Sequence, residues 1–347
     1  MSYQPSSILI TGGCGFIGSN FINSTFYKWH TTRFINIDKL KYESRETNII
    51  AKIRQSNRYK FIKGTVRDTD LLINLLRDYQ IDTIIHFAAM TDVDKSYSDR
   101  IGTIEENVMS IMTLLEIISF RYNGIKRFLH ISTDEVYGDS RNGSMPKMEY
   151  SLLNPTNPYA ASKACCEMIL NAYWHSYKVP FLMVRINNVY GPNQTLKLIP
   201  KFISLAVEGK PYPLMGDGMH MRSWIYVDDC TDAIRRVCEM GRIGEIYNIG
   251  TEFEISNYDV TMMIHQTVNE LLKRNNILPK FQPIMDRPYH DRRYCIDFTK
   301  ISRELGWKSC IAFKDGLQRT IKYYLNEYYN KQCGSIAKRQ SFFSTIV

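Results

Sequence analysis

The stretch ISTDEVYG, residues 131–138, sets two carboxylates, Asp134 and Glu135, side by side directly after an apolar run. Such a pair reads either as a solvated turn or as acid/base machinery, and the two residues alone leave both readings open. Further along, NPYAASK places Tyr159 and Lys163 at i, i+4, on one face of a helix. An ammonium there favours the phenolate, drawing a phenol pKa down from about 10 towards the range where it acts as a base. With 23 tyrosines in the chain, an exposed Tyr/Lys pair is the plain alternative.

A third grouping is clearer. TGGCGFIG puts Gly12, Gly13, Gly15 and Gly18 after a first apolar strand and at the opening of a helix. Glycine permits a tight turn and close approach of a pyrophosphate, whose charge then meets the free N–H groups of the helix N-terminus. Asp38 ends the next strand, where a carboxylate can accept hydrogen bonds from an adenosine ribose. That acid would repel a 2′-phosphate, which favours NAD over NADP, with Lys39 working weakly against it.

These groups need a scaffold, and the chain supplies one by alternation. Short β-branched runs at 7–11, 34–37, 60–62, 83–87, 127–132 and 181–186 are separated by helix-length segments near 16–28, 69–79, 101–122 and 157–177. The pattern predicts βαβ units around a parallel sheet with helices on both faces. After residue 186 it loosens into NNVYGPNQ, KPYPLMGDGMHMRSW and DRPYHDRRY, read as loops of a substrate lobe, with helices near 197–208, 228–240, 257–274 and 314–330. The final KQCGSIAKRQSFFSTIV has no clear period and reads as a loosely held tail.

Composition narrows the class. At 347 residues and 44% apolar content, the chain can bury a large core, as one big domain or two closely joined ones. No stretch reaches the roughly 18 uncharged apolar residues of a membrane span, and the start has no basic region followed by an apolar core and cleavage site. A soluble cytoplasmic protein without membrane contact is expected. Cys14, Cys165, Cys166, Cys230, Cys238, Cys295, Cys310 and Cys333 form no CxxC pair and no Cys/His grouping of zinc spacing, so reduced thiols and no metal are predicted. The net charge of +9 is spread along the chain without a basic block or interleaved aromatics, so an anionic small molecule explains it as well as nucleic acid would, and no nucleic-acid partner is expected. Arg222, Arg287, Arg292 and Arg293 are candidates for holding a diphosphate, because the guanidinium fork makes paired charge-assisted bonds. His86 and His130, at strand ends, read as core or edge residues. For His290, ligand contact and local structural bonding are both open.

TGGCGFIG, STDEVYG, YAASK and NNVYGP fall in the order seen in the extended short-chain dehydrogenase/reductase family. STDEVYG together with DRPYHDRRY resembles its nucleoside-diphosphate-glucose 4,6-dehydratases, over about residues 7–330. The resemblance implies a Rossmann-like doubly wound parallel α/β sheet with a smaller α/β substrate-binding lobe. Residues 1–186 with about 222–250 would form the NAD-binding domain, about 187–221 and 251–330 the nucleotide-sugar lobe, and 331–347 the tail. It implies a cofactor site of Gly12, Gly15, Phe16, Ile17, Gly18, Asp38, Lys39, Thr65, Val66, Ala88 and Ala89, together with Tyr159 and Lys163. Thr133 would join Tyr159 and Lys163 in oxidising the sugar at C4. Glu135 would then take the C5 proton while Asp134 protonates the departing 6-OH, so Asp134 must hold a proton and Glu135 must be ionised. Asn188, Lys197, Leu198, Arg222, Asn248, Arg287, His290 and Tyr294 would contact the nucleotide diphosphate or base, with Thr91 and Thr133 at the sugar. A homodimer is implied, built by the helices around 101–122 and 157–177 packing on their copies.

The chain departs from this pattern at three places. KGTVRD carries Thr65 where an acid usually meets adenine, MTDVDKS carries Met90 where a polar residue is usual, and Tyr289 stands in DRPYHDRRY where bacterial members often have glycine. NNVYGPNQ, IPKFISL and GEIYNIGT look more like eukaryotic-type members, which favours UDP-glucose and puts dTDP-glucose second. A 4-epimerase or decarboxylase would use the same cofactor loop and Tyr/Lys pair but has no need of Asp134 and Glu135. An NAD-binding regulatory protein would be expected to break the Thr133, Tyr159 and Lys163 set, and all three positions are filled.

Overall fold

A computed structural model describes residues 2–332 apart from 43, 142, 143 and 196; residues 333–347 of the predicted tail, with Cys333, lie outside them. The first half runs β1 (Ser7–Thr11), α1 (Phe16–Thr25), β2 (Arg33–Asp38), α2 (Ala51–Arg54), β3 (Tyr59–Lys63), α3 (Thr69–Asp78), β4 (Thr83–His86), α4 (Val93–Ser98), α5 (Arg100–Phe120), β5 (Arg127–Thr133) and α6 (Pro158–Tyr177). The second half runs β6 (Phe181–Ile186), β7 (Asn188–Tyr190), α7 (Leu198–Glu208), β8 (Tyr212–Met215), β9 (Met221–Tyr226), α8 (Val227–Met240), β10 (Ile246–Ile249), β11 (Glu254–Ser256), α9 (Asn257–Leu271), β12 (Phe281–Ile284), α10 (Thr299–Leu305) and α11 (Phe313–Gln332).

Seven strands form one sheet in the order β10-β6-β5-β4-β1-β2-β3, every pairing parallel. β1, β4 and β6 are buried along their whole length, which is why they read as continuous apolar runs rather than alternating ones. On one face α5 and α6 pack Leu114, Leu115, Cys166 and Leu170 against Leu9, Ile84, Phe128 and Met183. On the other, α1 and α8 pack Phe21, Ile22, Ile234 and Val237 against Ile8, Ile10, Leu129 and Val184. The chain starts in the middle at β1, winds out to β3 and returns to β4. The strand order therefore reverses between β1 and β4, whose last residues Thr11 and His86 lie side by side. A crevice at the C-terminal ends of the strands opens at that reversal, the place where open α/β sheets bind ligands.

The segments read as loops after residue 186 contain short strands. β7, β9 and β11 make a three-stranded sheet, and β8 pairs with β12; with three to six residues each, most are too short to establish a period. β10 completes the large sheet beside β6. The seven described cysteines are free thiols. Among the described residues no helix is long and apolar enough to cross a membrane.

Helix α6 begins by a mechanism visible in its sequence: the Asn157 side chain accepts the N–H of Ala160 and Pro158 takes the first helical position. It is then tied to the sheet by charge. Glu167 of α6 and Arg185 of β6, both almost fully buried, are joined through Nη2 at 2.6 Å and Nε at 3.1 and 3.2 Å. Arg185 also donates to the Tyr137 hydroxyl and the Glu149 carbonyl. Removing one member strands a buried charge, so Glu167→Ala should lower the unfolding free energy by about 3–5 kcal/mol. Urea titration of wild type and variant measures it, and a loss within the few tenths typical of a surface change would show that the pair is not what fixes α6.

Candidate active site

The glycine-rich turn between β1 and α1 is shaped for close approach. Gly12 has φ +70°, and a Cβ there would lie 2.7 Å from the Ala88 backbone; one at Gly18 would lie 2.6 Å from the Gly12 carbonyl. α1 starts at Gly15 with no side chain capping it, so its first N–H groups, those of Phe16, Ile17 and Gly18, are left for an anion. Asp38 holds the turn from the next strand, accepting the N–H of Cys14 at 3.0 Å and of Leu40 at 2.8 Å. Burial raises its pKa against those bonds. Beyond Asp38, an open cleft of about 720 Å³ is lined by Lys39, Lys41, Lys63, Gly64, Thr65, Arg67 and Glu106, with Lys39 paired to Glu106. Val66 turns into the core, while Ala88 and Ala89 are half-buried after β4, the Ala88 N–H donating to Thr11 Oγ1. An uncapped helix start, two glycines that no side chain can replace and a strand-end acid fit a dinucleotide.

At the far end of the same crevice, β5 delivers Thr133 into a short 3₁₀ turn, Asp134–Tyr137, and Thr133 Oγ1 accepts the N–H of Glu135. The two adjacent acids meet different surroundings. Asp134 is buried; its Oδ2 accepts from Asn187 Nδ2 at 2.7 Å and its Oδ1 faces Thr133 Oγ1 at 3.3 Å. Burial pushes its carboxyl up to about 7, with the charge of Glu135 acting the same way and the Asn187 bond against it. Glu135 is half-buried, and its Oε2 receives Asn157 Nδ2 at 2.9 Å, with the Tyr294 hydroxyl oxygen 3.4 Å away. The solvated-turn reading does not describe either acid.

Tyr159 is buried in the first turn of α6, close enough to Thr133 for the hydroxyl to favour the phenolate. Its pKa is not lowered as the Tyr/Lys spacing predicts. Burial, and then the charge of Glu135, hold the phenol well above its ordinary value, and Thr133 only partly offsets them. Lys163 does not outweigh this burial; its Nζ donates to the Ile131 carbonyl at 2.6 Å and stands 3.2 Å from His130 Nε2. Burial lowers the lysine's own pKa.

The nucleotide-contact residues divide. Tyr294 comes to Glu135 and donates to Asp291 Oδ2 at 2.5 Å. Arg222 is buried with its guanidinium 4.5 Å from the Tyr294 ring, and it donates to the carbonyls of Met221 and Asp291. Arg287 is partly buried and paired with Asp94 at 2.6 Å. Lys197, at the start of α7 beside half-buried Leu198, reaches the carbonyl of exposed Thr91 at 2.9 Å. Asn188 is half-buried where β7 begins. Asn248 does not reach the crevice: fully buried, it donates to the carbonyls of Lys147 and Asp297 and accepts the Tyr137 hydroxyl. Arg292 and Arg293 are likewise committed, to Asp217 and Glu254.

His290 takes part in a grouping that linear spacing could not reveal. Its ring stacks on His220 with centroids 3.6 Å apart, and Asp286 accepts from its Nδ1 at 2.7 Å. Ligand-type atoms of the three residues lie within 4.8 Å of one another. Ring nitrogens bind ions in the ring plane, however, and two stacked planes share no such point. Burial lowers both imidazole pKa values, that of His290 to about 4. Asn157 and Asn187, which touch the two acids, were not among the expected site residues. The helix-capping Asn-Pro signal marks Asn157, whereas nothing in the sequence marks Asn187.

This fold and site define an extended short-chain dehydrogenase/reductase. The chain matches the GDP-mannose 4,6 dehydratase family over residues 9–320 and belongs to that family. It is 40% identical over 327 residues to a trifunctional UDP-glucose 4,6-dehydratase/UDP-4-keto-6-deoxy-D-glucose 3,5-epimerase/UDP-4-keto-L-rhamnose-reductase of Arabidopsis thaliana, with 93% of this chain and 48% of that protein covered. The chain thus spans about half the length of that relative. It is 39% identical over 333 residues to the dTDP-glucose 4,6-dehydratase of Haemophilus influenzae, covering 92% of this chain and 98% of the other. The crystal structure of a dTDP-glucose 4,6-dehydratase from Streptomyces venezuelae with NAD bound superposes with a TM-score of 0.86 at 37% identity, over 94% of this chain and 98% of that one.

A carboxyl whose pKa is raised on folding binds its proton more tightly in the native state. The stability Asp134 contributes is therefore complete below its ordinary value of 3.8 and is lost as pH rises through about 7. Asp134→Asn cannot ionise, so its melting temperature should gain on that of wild type between about pH 5 and about pH 8. A gap between the two that is constant across that window would mean Asp134 is not held protonated.

Proposed function

We propose that this chain is an enzyme, a hydro-lyase that uses NAD to convert a nucleoside-diphosphate-glucose into its 4-keto-6-deoxy sugar. The observation that carries the reading is the contrast between the two acids: a buried, proton-holding Asp134 adjacent to a half-buried Glu135 held by Asn157 with the Tyr294 hydroxyl oxygen nearby, both next to Tyr159 and Thr133. Oxidation or epimerisation at C4 needs a base for one hydroxyl. Eliminating water from C5 and C6 needs a second base and an acid as well.

Gly12, Gly15, Phe16, Ile17, Gly18 and Asp38 hold the cofactor at its pyrophosphate and ribose, with Lys39, Thr65, Val66, Ala88 and Ala89 along its length. When bound, NAD supplies the hydride acceptor for C4, the hydride donor for C6 and, in its oxidised form, a positive charge that eases ionisation of Tyr159. Tyr159 takes the proton of the 4-OH, Thr133 stabilises the phenolate and Lys163 supplies a positive charge. The resulting 4-ketone acidifies C5. Glu135 removes the C5 proton, Asp134 gives its proton to the 6-OH, water leaves and a 4-keto-5,6-ene remains until C6 is reduced and C5 is reprotonated.

Residues 1–186 with about 222–250 are proposed as the cofactor domain, and about 187–221 and 251–330 as the nucleotide-sugar lobe. Asn188, Lys197, Arg287 and His290 would meet the nucleotide and Thr91 the sugar, and Arg222 acts behind Tyr294. A second copy is the proposed partner, because α5 and α6 leave Ile101, Ile104, Met109, Phe120, Met168 and Tyr177 exposed. The base is a finer matter. Names of the relatives favour dTDP-glucose on balance, whereas the plant-like segments and the Arabidopsis relative support UDP-glucose, which we place first. The two differ by a methyl and a hydroxyl, worth about 1–3 kcal/mol in a pocket, so turnover of both is expected.

Incubation of the purified protein with UDP-glucose and dTDP-glucose in parallel, read by mass spectrometry, should show loss of water from at least one. Asp134→Asn and Glu135→Gln should each lower that rate by about 10²–10⁴-fold. Unchanged product mass with inversion at C4, or full rates in both variants, would remove the dehydratase assignment.

A further inference from the structure

Lys163 is held from beneath by a residue the reaction above does not use. Strand β5 presents two acceptors to its Nζ, the Ile131 carbonyl at 2.6 Å and His130 Nε2 at 3.2 Å. His130 is fully buried and stacks on His86, with centroids 5.6 Å apart and planes 29° from parallel. His86 is fixed in turn by Thr11 Oγ1, 2.7 Å from its Nδ1 at the entrance to the glycine-rich turn. The titratable groups around this pair are His86 on β4 and Lys163, Cys166 and Glu167 on α6. The Glu167 carboxylate is bound to Arg185 of β6, and among the described residues no carboxylate is hydrogen-bonded to His130.

A neutral imidazole facing an ammonium offers its Nε2 lone pair, which places its proton on Nδ1. His130 Nδ1 is buried and has no hydrogen-bond partner. An unpaired buried N–H costs about 1–3 kcal/mol. An apolar ring at this position would pack without that cost, so the arrangement asks for an explanation beyond packing.

We propose that His130 is a positioning residue for the C4 oxidation: with the Ile131 carbonyl it occupies two of the three Nζ donors of Lys163, keeps that group an ammonium, and leaves its charge and third donor to serve Tyr159. The burial that works against charge on Lys163 is opposed in part by Cys166 and by the charge of Glu167, which Arg185 already pairs; at Nζ itself the acceptor is a neutral ring that leaves the field at the phenol intact. The inference rests on the dehydratase reading and names a residue that the reading itself does not require.

Glu135→Gln provides the parent for the test, because without the C5 base the reaction halts after C4 oxidation. Single-turnover appearance of reduced nicotinamide then reports the Tyr159 and Lys163 step, measured across pH with UDP-glucose and with dTDP-glucose. His130→Phe keeps the ring and its stack while removing both nitrogens, and His130→Gln restores an acceptor near the Nε2 position. In the parent, His130→Phe should slow oxidation about tenfold near pH 7 and move the acid limb of the profile up by about one pH unit. His130→Gln should recover most of the rate and return the limb. If phenylalanine does not fold, His130→Asn, too short to reach Nζ, should show the same loss. A pH profile that superimposes on the parent's, or a glutamine variant no better than the phenylalanine or asparagine one, overturns the proposal. Failure of the parent itself to form reduced nicotinamide from either sugar nucleotide would count against the dehydratase reading instead.

Discussion

The buried pair of Glu167 and Arg185 fixes more than one helix to one strand. Tyr159, Lys163 and Glu167 follow at intervals of four along α6, so all three stand on the same face. Locking Glu167 to β6 sets the rotation of the helix, and with it the heights at which Lys163 and Tyr159 meet the end of β5. The pair extends into a network: Ser132 donates to Glu167, Arg185 to Tyr137, and Tyr137 to Asn248 of β10. Taking two charges out of water costs several kcal/mol each, so such a pair holds only when its geometry is complete. The result is a rigid junction of α6, β5, β6 and β10 directly below the reacting groups.

From that junction the two adjacent acids acquire their difference. Successive residues in a tight turn point in different directions, so Asp134 falls under Asn187 and away from solvent while Glu135 meets Asn157 and Tyr294. The Asn157 amide serves twice, its oxygen capping α6 and its nitrogen holding Glu135, so the start of the helix and the position of the acid cannot vary independently. Two identical functional groups thus come to differ by environment alone, as acid/base catalysis across a C–C bond demands.

Much of this was legible in the sequence, for reasons that are local. Parallel strands buried on both faces appear as apolar runs, and the glycine-rich turn is readable because a Cβ at Gly12 or Gly18 would strike backbone. Tyr159, Lys163 and the acids were found because their spacing is set by one helix or one turn. What the sequence could not carry is contact between distant segments. Asn187 lies more than fifty positions from Asp134, His130 thirty-three from Lys163, and the His220/His290 stack seventy apart. Asn248 is a ligand contact by the family resemblance, and its sequence position does not show that here its side chain is buried and bonded to carbonyls. The direction of the Tyr159 pKa was missed for the same reason: spacing reports the nearby lysine but not the burial that outweighs it.

Partners also sort the cations of the substrate lobe. Four arginines had the chemistry to hold a diphosphate, but Arg292 and Arg293 are satisfied by acids of the same lobe and Arg222 by carbonyls. Arg287 differs, because it sits close enough to Glu135 to feel its charge while its pair with Asp94 is only partly buried. A single partly solvated ion pair contributes at most about 1 kcal/mol, whereas a diphosphate offers two charges and paired oxygens to the same guanidinium. In the proposed reaction, exchange of Asp94 for the diphosphate would cost little. It would also place the diphosphate on an arginine of the lobe that lies near Glu135.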